Sequence, residues 1–140
     1  MKTVLFACIH NAGRSQMAAA LFNLYADAAL AHAISAGTQP GERVHPEVQL
    51  AMKELDVDLS GVRPQKLTDE LATSAQLLVT MGCGEACPYV PGLERKDWPL
   101  EDPKGKSIEA VREIRNEVTR HVLDLLSARG WLRKDSVRLP

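Results

Sequence analysis

The feature that most restricts the fold is KTVLFACI, Lys2–Ile9, running straight into a short loop and then into SQMAAALFNLYADAAL, Ser15–Leu30. The first piece is a short apolar run with β-branched and aromatic members, which predicts a buried strand. In the second, Met17, Leu21, Leu24 and Ala28 recur at helical spacing among frequent alanines, which predicts a helix. The same alternation continues. AHAISAGT predicts a second strand, ended by Gly37 and Pro40. HPEVQLAMKELDVDL predicts a second helix, with Pro46 in its first turn and Val48, Met52 and Leu55 on one face. LTDELA predicts a short helical turn, and AQLLVTM a third strand stopped by Gly82. Residues 82–105 are rich in Gly and Pro and predict loop, with a short strand at KDW. SIEAVREIRNEVTRHVLDLLSARG predicts the last helix. Ser107 is its cap, Ile108, Val111, Ile114, Val118, Val122 and Leu125 its stripe, and Gly130 its stop. Strands alternating with helices imply an α/β fold of three layers, αβα, with a parallel sheet between helices.

The chain has 140 residues, 45% hydrophobic and 25% charged, so one domain spanning 1–140 is expected. A formal net charge of -1 gives no electrostatic case for nucleic acid or an anionic membrane. The basic tail Arg129–Arg138 reads as a solvated terminus. The apolar run after Met1 is too short for a signal peptide, and none approaches the roughly 18–20 residues of a membrane span. A cytoplasmic monomer is therefore expected. Three cysteines in a reducing compartment favour catalytic or metal roles over static disulfides.

Cys8 falls at the carboxyl end of the first strand, on the loop that opens the first helix, where open α/β sheets bind ligands. Backbone N–H groups at a helix start carry partial positive charge, and a tetrahedral oxyanion fits them. The residues Ile9, His10, Asn11, Ala12, Gly13, Arg14 and Ser15 form the expected cradle. Asn11 and Gly13 tolerate the backbone angles of a tight loop. Arg14 offers a planar fork to two oxygens. The same field stabilises a thiolate, and Ser15 either caps the helix or donates to that sulfur. A cysteine and an arginine six apart also fit a buried thiol beside a surface charge. The strand–loop–helix context favours a nucleophile beneath a bound oxyanion.

Cys8-x5-Arg14-Ser15, early in a chain of this size, resembles the low-molecular-weight protein tyrosine phosphatase superfamily. The resemblance implies a four-stranded parallel sheet. SAGT at 35–38 resembles the segment after that family's second strand, which implies that Ser35 supports Asn11. Asp102-Pro103 resembles the family's aspartate loop, which implies that Asp102 is a general acid on the leaving oxygen. Trp98 is expected to anchor that loop.

Two branches of the superfamily share the cradle, and the remaining cysteines discriminate between them. Cys83 lies just past the third strand, and Cys87 follows in the pliable stretch GCGEACPYVPG. If strands one and three are neighbours, roughly 4.8 Å apart, a Cys8–Cys83 disulfide is within reach. This arrangement resembles the thioredoxin-coupled arsenate reductases. The resemblance implies that Cys8 attacks arsenate, Cys83 attacks Cys8, and Cys87 attacks Cys83. A Cys83–Cys87 disulfide is left for thioredoxin, with no tightly bound cofactor. A glutaredoxin or another small thiol is the other reductant left open. The family often separates these two cysteines by more than the three residues found here. Lys104 and Gly105 follow Asp102-Pro103 where tyrosine phosphatases usually carry tyrosines, and Lys104 suits a small anion. The alternative branch is a phosphotyrosine phosphatase using Cys8 alone.

Two other readings remain. Cys83 and Cys87 also fit a core thiol and an incidental surface thiol. Zinc held by Cys8, Cys83, Cys87 and one of His10, His32, His45 or His121 lacks the second closely spaced pair that such sites prefer, so no metal is expected. Some members of the resembling family hold potassium through an acidic residue in the first helix. QMAAALF contains none, so that ion is not expected either. His10 is expected at the edge of the anion pocket, and His121 on a surface or half-buried helix face.

Overall fold

In the computed structural model, which describes residues 1–82 and 90–134, the first apolar run forms β1 (Lys2–Cys8). Val4, Phe6 and Cys8 join one apolar cluster, while Leu5 and Ala7 join another on the opposite face. Both faces of β1 are thus covered, which is why its sequence is continuously apolar rather than alternating. β1 pairs in parallel with β2 (Ala31–Gly37) on one side and β3 (Leu77–Thr80) on the other, and β4 (Glu94–Asp97) closes the order β2-β1-β3-β4. The four-stranded parallel sheet is as expected. The chain steps from β1 out to β2, then crosses back to β3 on the far side of β1. The carboxyl ends of β1 and β3 therefore meet at the point where the winding reverses, the usual ligand crevice of an open α/β sheet.

Helices α1 (Arg14–Tyr25), α2 (Pro46–Lys53) and α4 (Ile108–Arg129) cover one face, and the single turn α3 (Asp69–Thr73), with Leu67 and Ala75, covers the other. Phe6 organises the thicker layer, with its ring 5.9 Å from that of Phe22 and 5.5 Å from that of Trp98. Truncating such a buried aromatic typically costs about 3–5 kcal/mol. Trp98 is buried as expected, and half-buried His121 stacks on it at 5.0 Å.

α4 begins and ends as its sequence predicts. Ser107 accepts from Ala110 N–H at 3.2 Å, and Gly130 leaves the helix at φ 72°. Val111, Ile114, Val118, Val122 and Leu125 are buried. Two helices are shorter than predicted. α1 stops at Tyr25 because Ala26 turns to extended backbone and bridges Leu132, while Asp27 N–H donates to Trp131 O. The C-terminal segment captures what local propensity alone would have kept helical, so Ala28 is exposed rather than in the stripe. α2 stops at Lys53, followed by Asp56 at φ 61°. The predicted strand at KDW starts earlier, at Glu94. Its charged, exposed sequence ERKD suits a sheet edge that must resist pairing with another chain. Among the described residues no helix is long and apolar enough to cross a membrane.

Glu54, just past α2, is gripped by two arginines of α4: Arg112 Nη2 at 2.6 Å and Arg115 Nη1 at 2.7 Å. Hydrogen bonds from Arg112 and then Arg115 hold its carboxyl down to about 2. A carboxyl depressed on folding stabilises the fold above its unfolded value, near 4.5, and the gain is lost as pH falls toward 2. The Tm difference between wild type and Glu54→Gln is expected to be constant above about pH 5.5 and to shrink steadily on acidification below pH 4.5, measured by thermal melts.

Candidate active site

The loop after β1 has its carbonyls turned outward. Cys8 O, Ile9 O, His10 O and Ala12 O accept from the N–H groups of Thr38, Gln39, Gly41 and His45 at 3.2, 2.8, 2.9 and 2.9 Å. The N–H groups of Asn11, Ala12 and Gly13 have no acceptor among the described residues. They lead into the start of α1, which has no side-chain cap. Asn11 makes the turn at φ 51°, a conformation its residue type tolerates. Gly37 is required because a Cβ there would lie 2.6 Å from Ile9 O, and Gly13 because one would lie 2.6 Å from Pro103 Cγ. The second contact seats the Asp102-Pro103 loop on the cradle.

Cys8, almost fully buried, places Sγ 2.8 Å from Ser15 Oγ. Asn11 Nδ2 donates to the same Oγ at 2.8 Å, which leaves the Ser15 hydroxyl proton free to donate to a Cys8 thiolate. Ser15 provides no side-chain cap to the helix. Asn11 is held by two donors on Oδ1, Gln16 Nε2 at 3.1 Å and Gln65 N at 3.0 Å. Ser35, expected to support Asn11, is linked to it through Gln65: its carbonyl accepts from Gln65 Nε2 at 2.8 Å, and Gln65 N–H donates to Asn11 Oδ1. Gln16 and Gln65 were not singled out from the sequence. The legible hint was a polar residue at 16, just before the run Met17–Phe22 that packs into the core.

Arg14 is buried at the first position of α1, and its Nη1 donates to Leu100 O at 3.1 Å. Its Nη2 lies 3.7 Å from Asp102 Oδ2, whose partner oxygen accepts from Lys104 N–H at 3.0 Å. The carboxylate and the guanidinium thus stand together at the mouth of the cradle. Gly82, just past β3 at φ 100°, presses on Arg14, for a Cβ there would lie 2.4 Å from Nη1. His45 rests against Gly13 from the other side; burial pushes its imidazole below the usual range, and nearby Asp102 partly opposes this. His10 turns its Nδ1 to Gln39 O at 3.0 Å. Ile9 and Ala12 contribute backbone to the loop. Of the zinc alternative's histidines, His32 sits at the opposite end of β2, beside Met1, and His121 on Trp98. Among the described residues no three metal-ligating side chains cluster. Cys83 and Cys87 lie outside the described residues. Met81 N–H donates to Ala7 O at 2.7 Å, so the chain leaves β3 alongside Cys8.

A buried cysteine on a serine hydroxyl, loop N–H groups without an acceptor among the described residues, an arginine fork and a neighbouring aspartate suit a class of proteins that act on tetrahedral oxyanions through a covalent thiol adduct. The chain belongs to the low molecular weight phosphotyrosine protein phosphatase family, whose pattern matches residues 3–137. Among its relatives, a putative arsenate reductase of Halobacterium salinarum is 35% identical over 86% of this chain and 87% of its own. A glutaredoxin arsenate reductase of Synechocystis is 33% identical over 91% of this chain and 98% of its own. A thioredoxin-dependent arsenate reductase structure from Corynebacterium glutamicum superposes with a TM-score of 0.79 at 38% identity, covering 91% of this chain and 61% of that one.

Gly82 and Gly92 both have positive φ, 100° and 83°, yet only Gly82 has a neighbour close to a Cβ. Gly82→Ala is expected to displace the guanidinium and weaken phosphate binding at least tenfold, while Gly92→Ala leaves it within twofold, by isothermal titration.

Proposed function

We propose that the chain reduces arsenate to arsenite through Cys8, Cys83 and Cys87, with thioredoxin as the reductant. The observation that carries the reading is the likeness to relatives named arsenate reductases, in a chain whose Cys8 Sγ meets Ser15 Oγ close to an arginine that suits a tetrahedral dianion. Cys8 attacks arsenic(V) and water leaves, with Asp102 supplying a proton to the departing oxygen. Cys83 then attacks Cys8 Sγ. The S–As electron pair passes to arsenic, which departs as arsenite, and a Cys8–Cys83 disulfide forms. Cys87 attacks Cys83 and frees Cys8 as a thiolate. The resulting Cys83–Cys87 disulfide is reduced by the thioredoxin dithiol. Two electrons leave two thiols, and the third cysteine carries the disulfide away from the cradle.

The relatives' names support a small dithiol protein as reductant, one naming glutaredoxin and one thioredoxin. Thioredoxin is the finer assignment, since its low potential suits a protein disulfide. The family's name and the cradle itself support a second reading, hydrolysis of phosphate esters through a Cys8 phosphoenzyme. That chemistry requires neither Cys83 nor Cys87.

The deciding experiment supplies arsenate, thioredoxin, thioredoxin reductase and NADPH and follows absorbance at 340 nm. Cys8→Ser is expected to abolish both arsenate-dependent NADPH consumption and aryl-phosphate hydrolysis. Cys83→Ser is expected to lose the first and keep the second, and Cys87→Ser to stall after one turnover with a Cys8–Cys83 link visible by mass spectrometry. Undiminished arsenate reduction in Cys83→Ser would sink the relay. Asp102→Asn is expected to lower kcat for aryl-phosphate hydrolysis about a hundredfold, more for poor leaving groups than for good ones, because only the former need the proton.

A further inference from the structure

Gln16 is a buried polar side chain that the chemistry above does not use. It occupies the first turn of α1, where one face of the helix meets the cradle and the other the apolar core. Its Nε2 donates to Asn11 Oδ1 at 3.1 Å, beside the bond from Gln65 N at 3.0 Å. A side-chain amide can present either end to a neighbour, and which end it presents is decided by its partners. Two donors on Oδ1 leave Nδ2 as the end that meets Ser15 Oγ, at 2.8 Å. A hydroxyl has one proton. Having accepted from Asn11, Ser15 keeps its proton to offer a thiolate at Cys8 Sγ, 2.8 Å away. Were the Asn11 amide reversed, Oδ1 would face Ser15 and take that proton, and the sulfur would lose its donor.

We propose that Gln16 is a positioning residue that locks the Asn11 amide in the orientation that directs the Ser15 proton to Cys8. Gln65 holds the same oxygen through its backbone, which side-chain substitution does not remove. Gln16 is therefore the adjustable half of the lock. The inference rests on Cys8 being the nucleophile, whichever oxyanion it processes. It is tested on the thiol itself, so the outcome does not depend on arsenate turnover.

The test measures iodoacetamide alkylation of Cys8 in the reduced full-length chain, following the Cys8 peptide by mass spectrometry at pH 7 and pH 9.5. Gln16→Met removes the donor with little change in shape. Gln16→Glu puts an acceptor where the donor was and turns the amide round. Relative to wild type, alkylation at pH 7 is expected to fall about threefold in Gln16→Met and about tenfold in Gln16→Glu, as suits partial and full loss of a hydrogen bond to an anion. At pH 9.5 all three are expected to react at similar rates. Equal rates at pH 7 would overturn the proposal. So would equal losses at both pH values, which report packing alone. Should either variant fail to fold, the wild-type chain decides: the Asn11 side-chain amide protons are expected to be protected from hydrogen exchange by NMR and to shift on alkylation of Cys8. Rapid exchange without such a shift would overturn the proposal as well.

Discussion

Four carbonyls of the loop after β1, each held by an N–H group of residues 38–45, tie that loop down. Backbone polar groups are obligatory partners, so engaging these carbonyls fixes the course of the loop. Everything at the site depends on this. Asn11 at φ 51° makes the bend that allows it. Cys8 lies at the bottom because it is the last residue of β1.

Two further contacts convert a cradle into a reactive site. One orders protons: Gln16 and Gln65 fix Asn11, Asn11 fixes Ser15, and Ser15 points at sulfur. The other orders charge. Arg14 is pinned to Leu100 O, packed beside Gly82 and set near Asp102, so its fork is held in place. Some of the supports come from far along the chain. Cys8, Asn11 and Ser15 share one loop, while the network on Asn11 reaches residue 65 and the arginine's neighbours lie at residues 82 and 100. A preorganised site of this kind stabilises developing charge without reorganising during the reaction.

Much of this was legible in the residues. The continuous apolar run of β1 announced a strand buried on both faces, and the Ser107 cap, stripe and Gly130 stop announced α4 nearly to the residue. Cys8, Arg14 and Asp102 were legible because a strand–loop–helix passage places the first two together and a known pattern flags the third. Less legible were the ends of α1 and α2. The end of α1 at Tyr25 follows from a bridge to Leu132, over a hundred residues away, which no local propensity reports. Ser35 is linked to Asn11 through Gln65. A backbone N–H as the operative group carries no signature in residue type.

By itself, the amino-acid order determined the alternation of strands and helices, the burial of β1 and the presence of one thiol and one guanidinium on a single loop. These are short-range matters, set by periodicity, turn residues and connectivity. Only the tertiary structure decided the direction of each polar group. It chose which groups hold the loop's carbonyls, which end of Asn11 meets Ser15, and which oxygen holds Arg14 still. Such choices are made by partners distant in sequence, because a hydrogen bond's direction belongs to the pair and not to either residue alone.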